Sequence, residues 1–317
     1  MRKAFVTGGA GFIGQHLVRK LLADLIEVTV FDNLSTGRRL DLAPFERDPK
    51  FRFVFGDVRD LAAMTTEMAG HDVVWHLAAN GDIPRGQKDT RWDFDNNTSG
   101  THNVLEAMRA NGVHEILFSS TAAVYGDGAA NRVPLAEIHG PLLPISLYAA
   151  SKIGGEAIIS AYCHLFGFRG WIFRFANVVG GRMNHGLLWD MIVKLRQNPS
   201  EVEVWGDGWG EKPFVLVDDI LWGMTVAYRA AREKSCDVYN LGTPTYTVIE
   251  DAVKIVIEEM GLKDVKLNYT GGARGFPGDV PIVRFDPRKM ESYGFRTSHT
   301  STEAVRIAAR RLIDGAM

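Results

Sequence analysis

Cysteine is nearly absent: Cys163 and Cys236 are the only two in 317 residues. They lie far apart in sequence and form no metal-type pair. They read as core or half-buried thiols of a protein kept in a reduced, cytoplasmic setting. Neither sign of charge dominates. Lys and Arg number 36 against 38 Asp and Glu, for a net charge of −2, so no basic face marks nucleic acid as a partner. No apolar run approaches the roughly 20 residues of a membrane span, and no membrane partner is expected. The opening "MRKAFVTGG" reads as a short strand running into glycines, not as a signal peptide. Internal repeats and low-complexity tracts are missing too. Apolar residues are abundant at 46 %, and glycine occurs 33 times. The first can bury a large core; the second suits tight turns and close backbone approach to a ligand.

The apolar runs have an order. "KAFVTG" (3–8), "EVTVFD" (27–32), "FRFVFGDV" (51–58), "DVVWHLAA" (72–79), "EILFSS" (115–120) and "GWIFRFANVVG" (170–180) are almost continuously apolar, as strands covered on both faces are. Between them, "FIGQHLVRKLLAD", "DFDNNTSGTHNVLEAMRANG" and "SLYAASKIGGEAIISAYCHLFG" have helical spacing. The alternation predicts an α/β chain: a Rossmann-like, doubly wound parallel sheet over residues 1–180. After about residue 180 the pattern changes to a smaller C-terminal α/β region, 181–317, expected to bind substrate. "DVYNLG" (237–242) is expected to return to the sheet.

Three groups of residues suggest chemistry. "TGGAGFIG" follows the first strand and opens a helix. Gly8, Gly11 and Gly14 have the spacing that brings backbone N–H groups to a pyrophosphate, with Phe12 and Ile13 inside the same turn. Asp32 closes the second strand, where a carboxylate takes the adenosine ribose hydroxyls; Asn33 follows it. This favours NAD, with Arg38 and Arg39 leaving NADP as the alternative. Asp57 and Val58 end the third strand, where Asp57 is placed to accept from the adenine amino group. Leu77, Ala78 and Ala79 end the fourth with mainly small residues. In "YAASK", Tyr148 and Lys152 are one helical turn apart and share a face. A cation there, with a positive nicotinamide, would favour the phenolate and make Tyr148 a base. Thr121 ends the preceding strand and offers the hydroxyl such a base needs beside it. No metal-ligand set is expected.

These motifs together resemble the extended short-chain dehydrogenases/reductases, in the branch of NAD-dependent nucleotide-sugar epimerases and dehydratases, most of all the UDP-galactose (UDP-glucose) 4-epimerases. "TGGAGFIG", "FDNLSTG", "GDVRD", "HLAAN", "NNTSGTHNVLEAM", "FSSTAAVYGD", "YAASK", "RFANVVG", "VLVDD" and "GFPGDVP" follow the family's order over almost the whole chain. The resemblance implies NAD as cofactor, held partly by Tyr148 and Lys152, and Thr121, Tyr148 and Lys152 as catalytic residues. It implies substrate-binding roles for Asn97, Thr121 and Asn177. It gives Lys212 and Arg274 the places of two diphosphate-binding arginines, with lysine replacing the first. Arg182 stands where proline is common, and Arg182 and His185 face either phosphate or water. A homodimer built on the helices of "NNTSGTHNVLEAM" and "YAASKIGGEAIISAY" is also implied. There Gly154, Gly155, Ala157 and Ala161 pack either on a partner or on the sheet.

The family's members share an oxidation at C4 and then diverge. The dehydratases carry an Asp-Glu pair directly after the active-site hydroxyl, and the decarboxylases a glutamate in that loop. Here the positions are Ala122 and Ala123, which transfer no proton. The implied activity is therefore 4-epimerisation of a nucleotide sugar, with a UDP-hexose, its uronate or its N-acetyl analogue as substrate. Val283 falls where the family's sugar pocket is narrowed by a tyrosine, and it points to a roomier pocket. The alternatives are a net oxidoreductase, such as a 4-keto sugar reductase or dehydrogenase, and a binding protein that has lost catalysis.

Overall fold

The structure is a computed structural model and describes residues 1–131 and 133–315. In chain order its strands are β1 (Lys3–Thr7), β2 (Glu27–Asp32), β3 (Phe51–Phe55), β4 (Val73–His76), β5 (Glu115–Thr121), β6 (Arg169–Phe175), β7 (Asn177–Val179), β8 (Glu201–Val204), β9 (Glu211–Lys212), β10 (Phe214–Leu216), β11 (Cys236–Leu241), β12 (Thr247–Val248) and β13 (Lys266–Tyr269). The helices are α1 (Phe12–Ala23), α2 (Leu61–Glu67), α3 (Ile83–Lys88), α4 (Thr90–Asp93), α5 (Gly100–Asn111), α6 (Leu147–Phe166), α7 (Leu187–Gln197), α8 (Val217–Ala230), α9 (Ile249–Glu259), α10 (Arg288–Ser292) and α11 (Ser301–Ile313). Two compact units divide them. One takes Met1–Val124, Leu147–Arg174 and Ala227–Tyr239; the other takes Tyr125–Ser146, Phe175–Val226 and the chain from Asn240 onward. Besides the change of pattern expected near residue 180 and the return expected at 237–242, the chain leaves the first unit once more, over Tyr125–Ser146.

The first unit is built on a seven-stranded parallel sheet in the order β11-β6-β5-β4-β1-β2-β3. Strand order reverses between β1 and β4, which pair directly with Thr7 beside His76. At such a point the loops leaving two neighbouring strands diverge and open a crevice. Phe5, Phe31, Val74, Ile116 and Phe118, all buried, join Val104 and Met108 of α5 and Ile159 of α6 in one apolar cluster. The expected return of "DVYNLG" is β11, at the sheet's edge.

Helix α6 places the site. Ala149, Lys152, Glu156, Ile159 and Cys163 are buried and recur every three or four residues, so one face lies inward although it carries a lysine and a glutamate. Gly154 packs toward Thr98, and Gly155 toward Phe118. These two small residues therefore serve packing within the unit.

Two local expectations change. The stretch expected as one helix from 93 is α4, then a π-helical turn at Phe94–Ser99, then α5. Asn96 Nδ2 donates to Trp92 O at 2.8 Å and Thr101 Oγ1 to Asn97 O at 2.6 Å; such side-chain bonds to backbone carbonyls compete with regular helix. The strand expected at 170–180 breaks at Ala176, whose N–H donates to Leu241 O, and β7 pairs instead with β10.

The second unit holds three two-stranded pairings, β7 with β10, β9 with β12 and β8 with β13, around α7, α9 and α11. Thr300 and Glu303 form a capping box at the start of α11, satisfying backbone donors the helix leaves open. Arg306 and Arg310 of α11 pair with Glu259 of α9.

Candidate active site

The crevice begins at the turn after β1. Gly8 has φ +71°, which side chains disfavour, and a Cβ there would lie 2.5 Å from Ala78 N. A Cβ on Gly14 would lie 2.2 Å from Gly8 O. Both glycines are thus required by close backbone approach, and Gly11 caps α1 with no side chain of its own. The result is an uncovered helix N-terminus cradled by backbone, suited to an anion. Phe12 is buried and Ile13 half-buried beneath it. The residues present therefore fit a dinucleotide pyrophosphate.

Asp32, at the end of β2, is 8 % exposed. Its Oδ2 accepts from Ala10 N at 2.9 Å and its Oδ1 from Leu34 N at 2.8 Å. Burial raises its pKa, against these two bonds. The carboxylate is thus locked to the glycine turn and keeps lone pairs for ribose hydroxyls. Arg38 is paired with Asp41 and Arg39 with Glu46, so both arginines weighed for a 2′-phosphate are engaged by acids. Asp57 is held down at about 2, chiefly by the Arg59 side chain and also by Asn33. Asn33 Nδ2 donates to Asp57 Oδ2 at 2.9 Å. Val58 is buried, and Leu77, Ala78 and Ala79 are half-buried after β4.

The catalytic candidates meet in the same unit. Thr121, the last residue of β5, hydrogen-bonds Tyr148 near the start of α6. One turn on, Lys152 is 2 % exposed. Its Nζ donates to Ser119 O at 2.7 Å and sits 4.7 Å from the Phe118 ring centroid. Burial pushes Lys152 down to about 7, and Glu156 raises it. Burial pushes Tyr148 up to about 12, the Thr121 hydroxyl pulls it back, and Asp93 adds to the rise. The expected lowering of Tyr148 is therefore not supplied by the protein's own groups, because desolvation of the phenolate outweighs them.

Asn97 stands behind this helix. Its side chain accepts from Asn80 N at 2.8 Å and donates to Ser151 Oγ at 2.9 Å, and Ser151 Oγ donates to Tyr148 O at 2.7 Å. At 1 % exposure, with its carboxamide on protein partners, Asn97 braces α6 and offers no exposed amide to a substrate. Sequence reasoning missed four neighbours. Asp93 is buried, bonded through Oδ1 to Asn80 Nδ2 at 2.7 Å, with Oδ2 lacking a hydrogen-bond partner. Glu156, Arg174 and Ser120 form a buried cluster next to Lys152. Glu156 was open to discovery, since it lies one turn beyond Lys152 on the same face.

In the second unit, Asn177 is exposed at the start of β7. Lys212 Nζ donates to Asp279 Oδ1 at 2.7 Å and to Val280 O. Arg274 donates to Asp279 O at 2.7 Å and to Asp127 Oδ1 at 2.6 Å. The structure thus gathers Lys212 and Arg274 around Asp279, with each cation already facing an acid. His185 is exposed and bonded to Asn184. Among the described residues, no three His, Cys, Asp or Glu are grouped to hold a metal, and no helix is long and apolar enough to cross a membrane.

Comparison with known proteins places this geometry. Residues 4–242 match the NAD dependent epimerase/dehydratase family. The chain is 33 % identical over 307 residues to a putative UDP-glucose 4-epimerase of Methanocaldococcus jannaschii, covering 95 % of each. It is 32 % identical over 281 residues to a dTDP-glucose 4,6-dehydratase of an Actinoplanes species, covering 86 % of each. A crystal structure of a UDP-galactose 4-epimerase superposes with a TM-score of 0.86 at 35 % identity, covering 98 % of this chain and 99 % of that one.

Proposed function

Since the chain belongs to the NAD dependent epimerase/dehydratase family, an NAD-dependent enzyme family, we propose that it is a nucleotide-sugar 4-epimerase acting on a UDP-hexose. The observation that carries the reading is the end of β5: Thr121 is hydrogen-bonded to Tyr148 and is followed by Ala122 and Ala123. Both epimerases and a dehydratase are among the relatives, and the two alanines favour the former. An elimination needs an acid and a base at that point, and alanine is neither.

NAD, when bound, supplies the acceptor and donor of the C4 hydride and brings a positive ring. Gly8, Gly11 and Gly14 hold its pyrophosphate and Asp32 its ribose. Thr121 orients the sugar's 4-hydroxyl, and Tyr148 takes that proton and later returns it. With its proton affinity raised by burial, Tyr148 gains from added positive charge. Lys152 supplies some, and its value near 7 leaves it only partly charged at neutral pH. Lys212, Arg274 and Asn177 hold the diphosphate, exchanging the present acid partners of the two cations for phosphate. Val283, buried in the second unit, leaves room for an N-acetyl or uronate sugar. By family likeness, the working form is a cytoplasmic homodimer that pairs through α5 and α6.

The test is incubation with a panel of UDP-hexoses, followed by NMR of the anomeric protons and absorbance of the nicotinamide. Interconversion of C4 epimers with no net absorbance change is expected. A steady absorbance change, or no conversion of any UDP sugar, overturns the reading.

A further inference from the structure

The two cysteines are distant in the chain but neighbours in the first unit. Cys163 lies on the inward face of α6 at 3 % exposure, and Cys236 is the half-buried first residue of β11. Their thiols are hydrogen-bonded to each other. Gly170 of β6 leaves the space where they meet. A Cβ built on it would lie 3.1 Å from Cys163 Sγ and 3.4 Å from Cys236 Sγ. The Gly170 N–H donates to Ser235 O at 2.8 Å, fixing the start of β11 against β6. Cys236 lines a cavity of about 310 Å³ together with Ala157, Ser160 and Asp237, so a small reagent has a way in. Lys152 and Tyr148 share α6 with Cys163 but lie roughly 16–23 Å along it at 1.5 Å per residue.

We propose that Cys163 and Cys236 are a redox couple, which a peroxide closes into a disulfide staple between α6 and β11 and a dithiol reopens. Cys236 reacts first. It is the more exposed of the two, and the hydrogen bond from Cys163 lowers its pKa, while that same bond and then burial raise that of Cys163. The Cys236 thiolate attacks one peroxide oxygen. The O–O bond breaks, the sulfur is oxidised to a sulfenic acid, and the other oxygen leaves as water after taking up a proton. The Cys163 sulfur then attacks the sulfenic sulfur. The S–S bond forms, the S–O bond breaks, and hydroxide leaves with the thiol proton as water. The staple ties the helix bearing Tyr148 and Lys152 to the sheet's edge strand. Its effect is on stability, through a constrained unfolded chain, and activity per molecule is unchanged because the tie is remote from the site.

The test treats the full-length protein with dilute hydrogen peroxide, alkylates it under denaturing conditions and weighs it. The reduced protein should take two alkyl groups. The oxidised protein should take none, run as a single chain on a non-reducing gel and recover both sites after dithiothreitol. Its Tm should rise by about 5 °C or more, a rise missing in Cys236→Ser. In Cys163→Ser, Cys236 should stop at a dimedone-reactive sulfenic acid. Two alkylations after oxidation, a cross-link between chains, or an oxidised Tm no higher than the reduced one overturns the proposal.

Discussion

Replacing Glu156 by Gln probes the buried cluster that supports Lys152. The Glu156 and Arg174 side chains are 8 % and 5 % exposed. They meet through Arg174 Nε to Glu156 Oε1 at 3.0 Å and Arg174 Nη2 to Glu156 Oε2 at 2.7 Å, and Ser120 Oγ adds a bond to Oε1. Glutamine keeps the shape but turns one oxygen into an NH₂ that faces the guanidinium donor to donor. Arg174 cannot shed its charge, so the variant leaves a cation buried without its counter-charge. Breaking such a pair from one side costs about 3–5 kcal/mol, which for a chain of this size lowers Tm by roughly 4–8 °C. Urea unfolding and thermal melts measure it. Glu156→Leu combined with Arg174→Met removes both charges together, and such replacements are often neutral, so the double variant should recover most of the loss. Activity gives a second readout. Glu156 raises Lys152 against burial; without it Lys152 loses its proton at lower pH, and the alkaline limb of the activity profile moves down. A single variant within about 1 kcal/mol of the parent, or a double variant no better than the single, refutes this account of the cluster.

Three further outcomes are expected. Gly14→Ala places a Cβ 2.2 Å from Gly8 O and 2.6 Å from Gly9 Cα. It should weaken NAD binding about 10–100-fold by titration with the far-ultraviolet circular dichroism unchanged. Lys152 sits at about 7 against its usual 10.5, so above pH 7 the unfolded chain binds the extra proton. Stability should then rise with pH, on the order of 2 kcal/mol between pH 7 and pH 9. Lys152→Met should flatten that rise in pH-dependent urea unfolding. Asp93→Asn removes a carboxylate that raises Tyr148 while leaving an oxygen for Asn80. The acid limb of the kcat/KM profile should move to lower pH, and an unmoved limb contradicts the proposed coupling.

The parts of the fold legible in the sequence were those written in short-range spacing. β1, the glycine turn and α1 are adjacent in sequence, and Asp32 closes the next strand, so apolar runs and glycine spacing found them together. Tyr148 and Lys152 were legible because helical periodicity alone puts them on one face. The partners that set their proton affinities were not. Glu156 finds Arg174 and Ser120, and Asp93 finds Asn80, only after strands and helices distant in sequence have packed. The same holds for Cys163 and Cys236, which read as two unrelated thiols, and for Lys212 of β9, whose partner Asp279 lies in a loop far along the chain. Asn97 illustrates a subtler limit. Its place in the order of motifs was readable, but its burial, and so its role in bracing α6, depended on a π-helical turn with no clear periodic signature.

The claim that C4 is oxidised and then reduced within one turnover is tested by turning over UDP-galactose deuterated at C4 in ordinary water. UDP-glucose should form with the deuterium still at C4 and with no net change in nicotinamide absorbance, and Tyr148→Phe should bind NAD but form no product. Deuterium lost to solvent or carried to C6, or product formed at the parent rate by Tyr148→Phe, would contradict it.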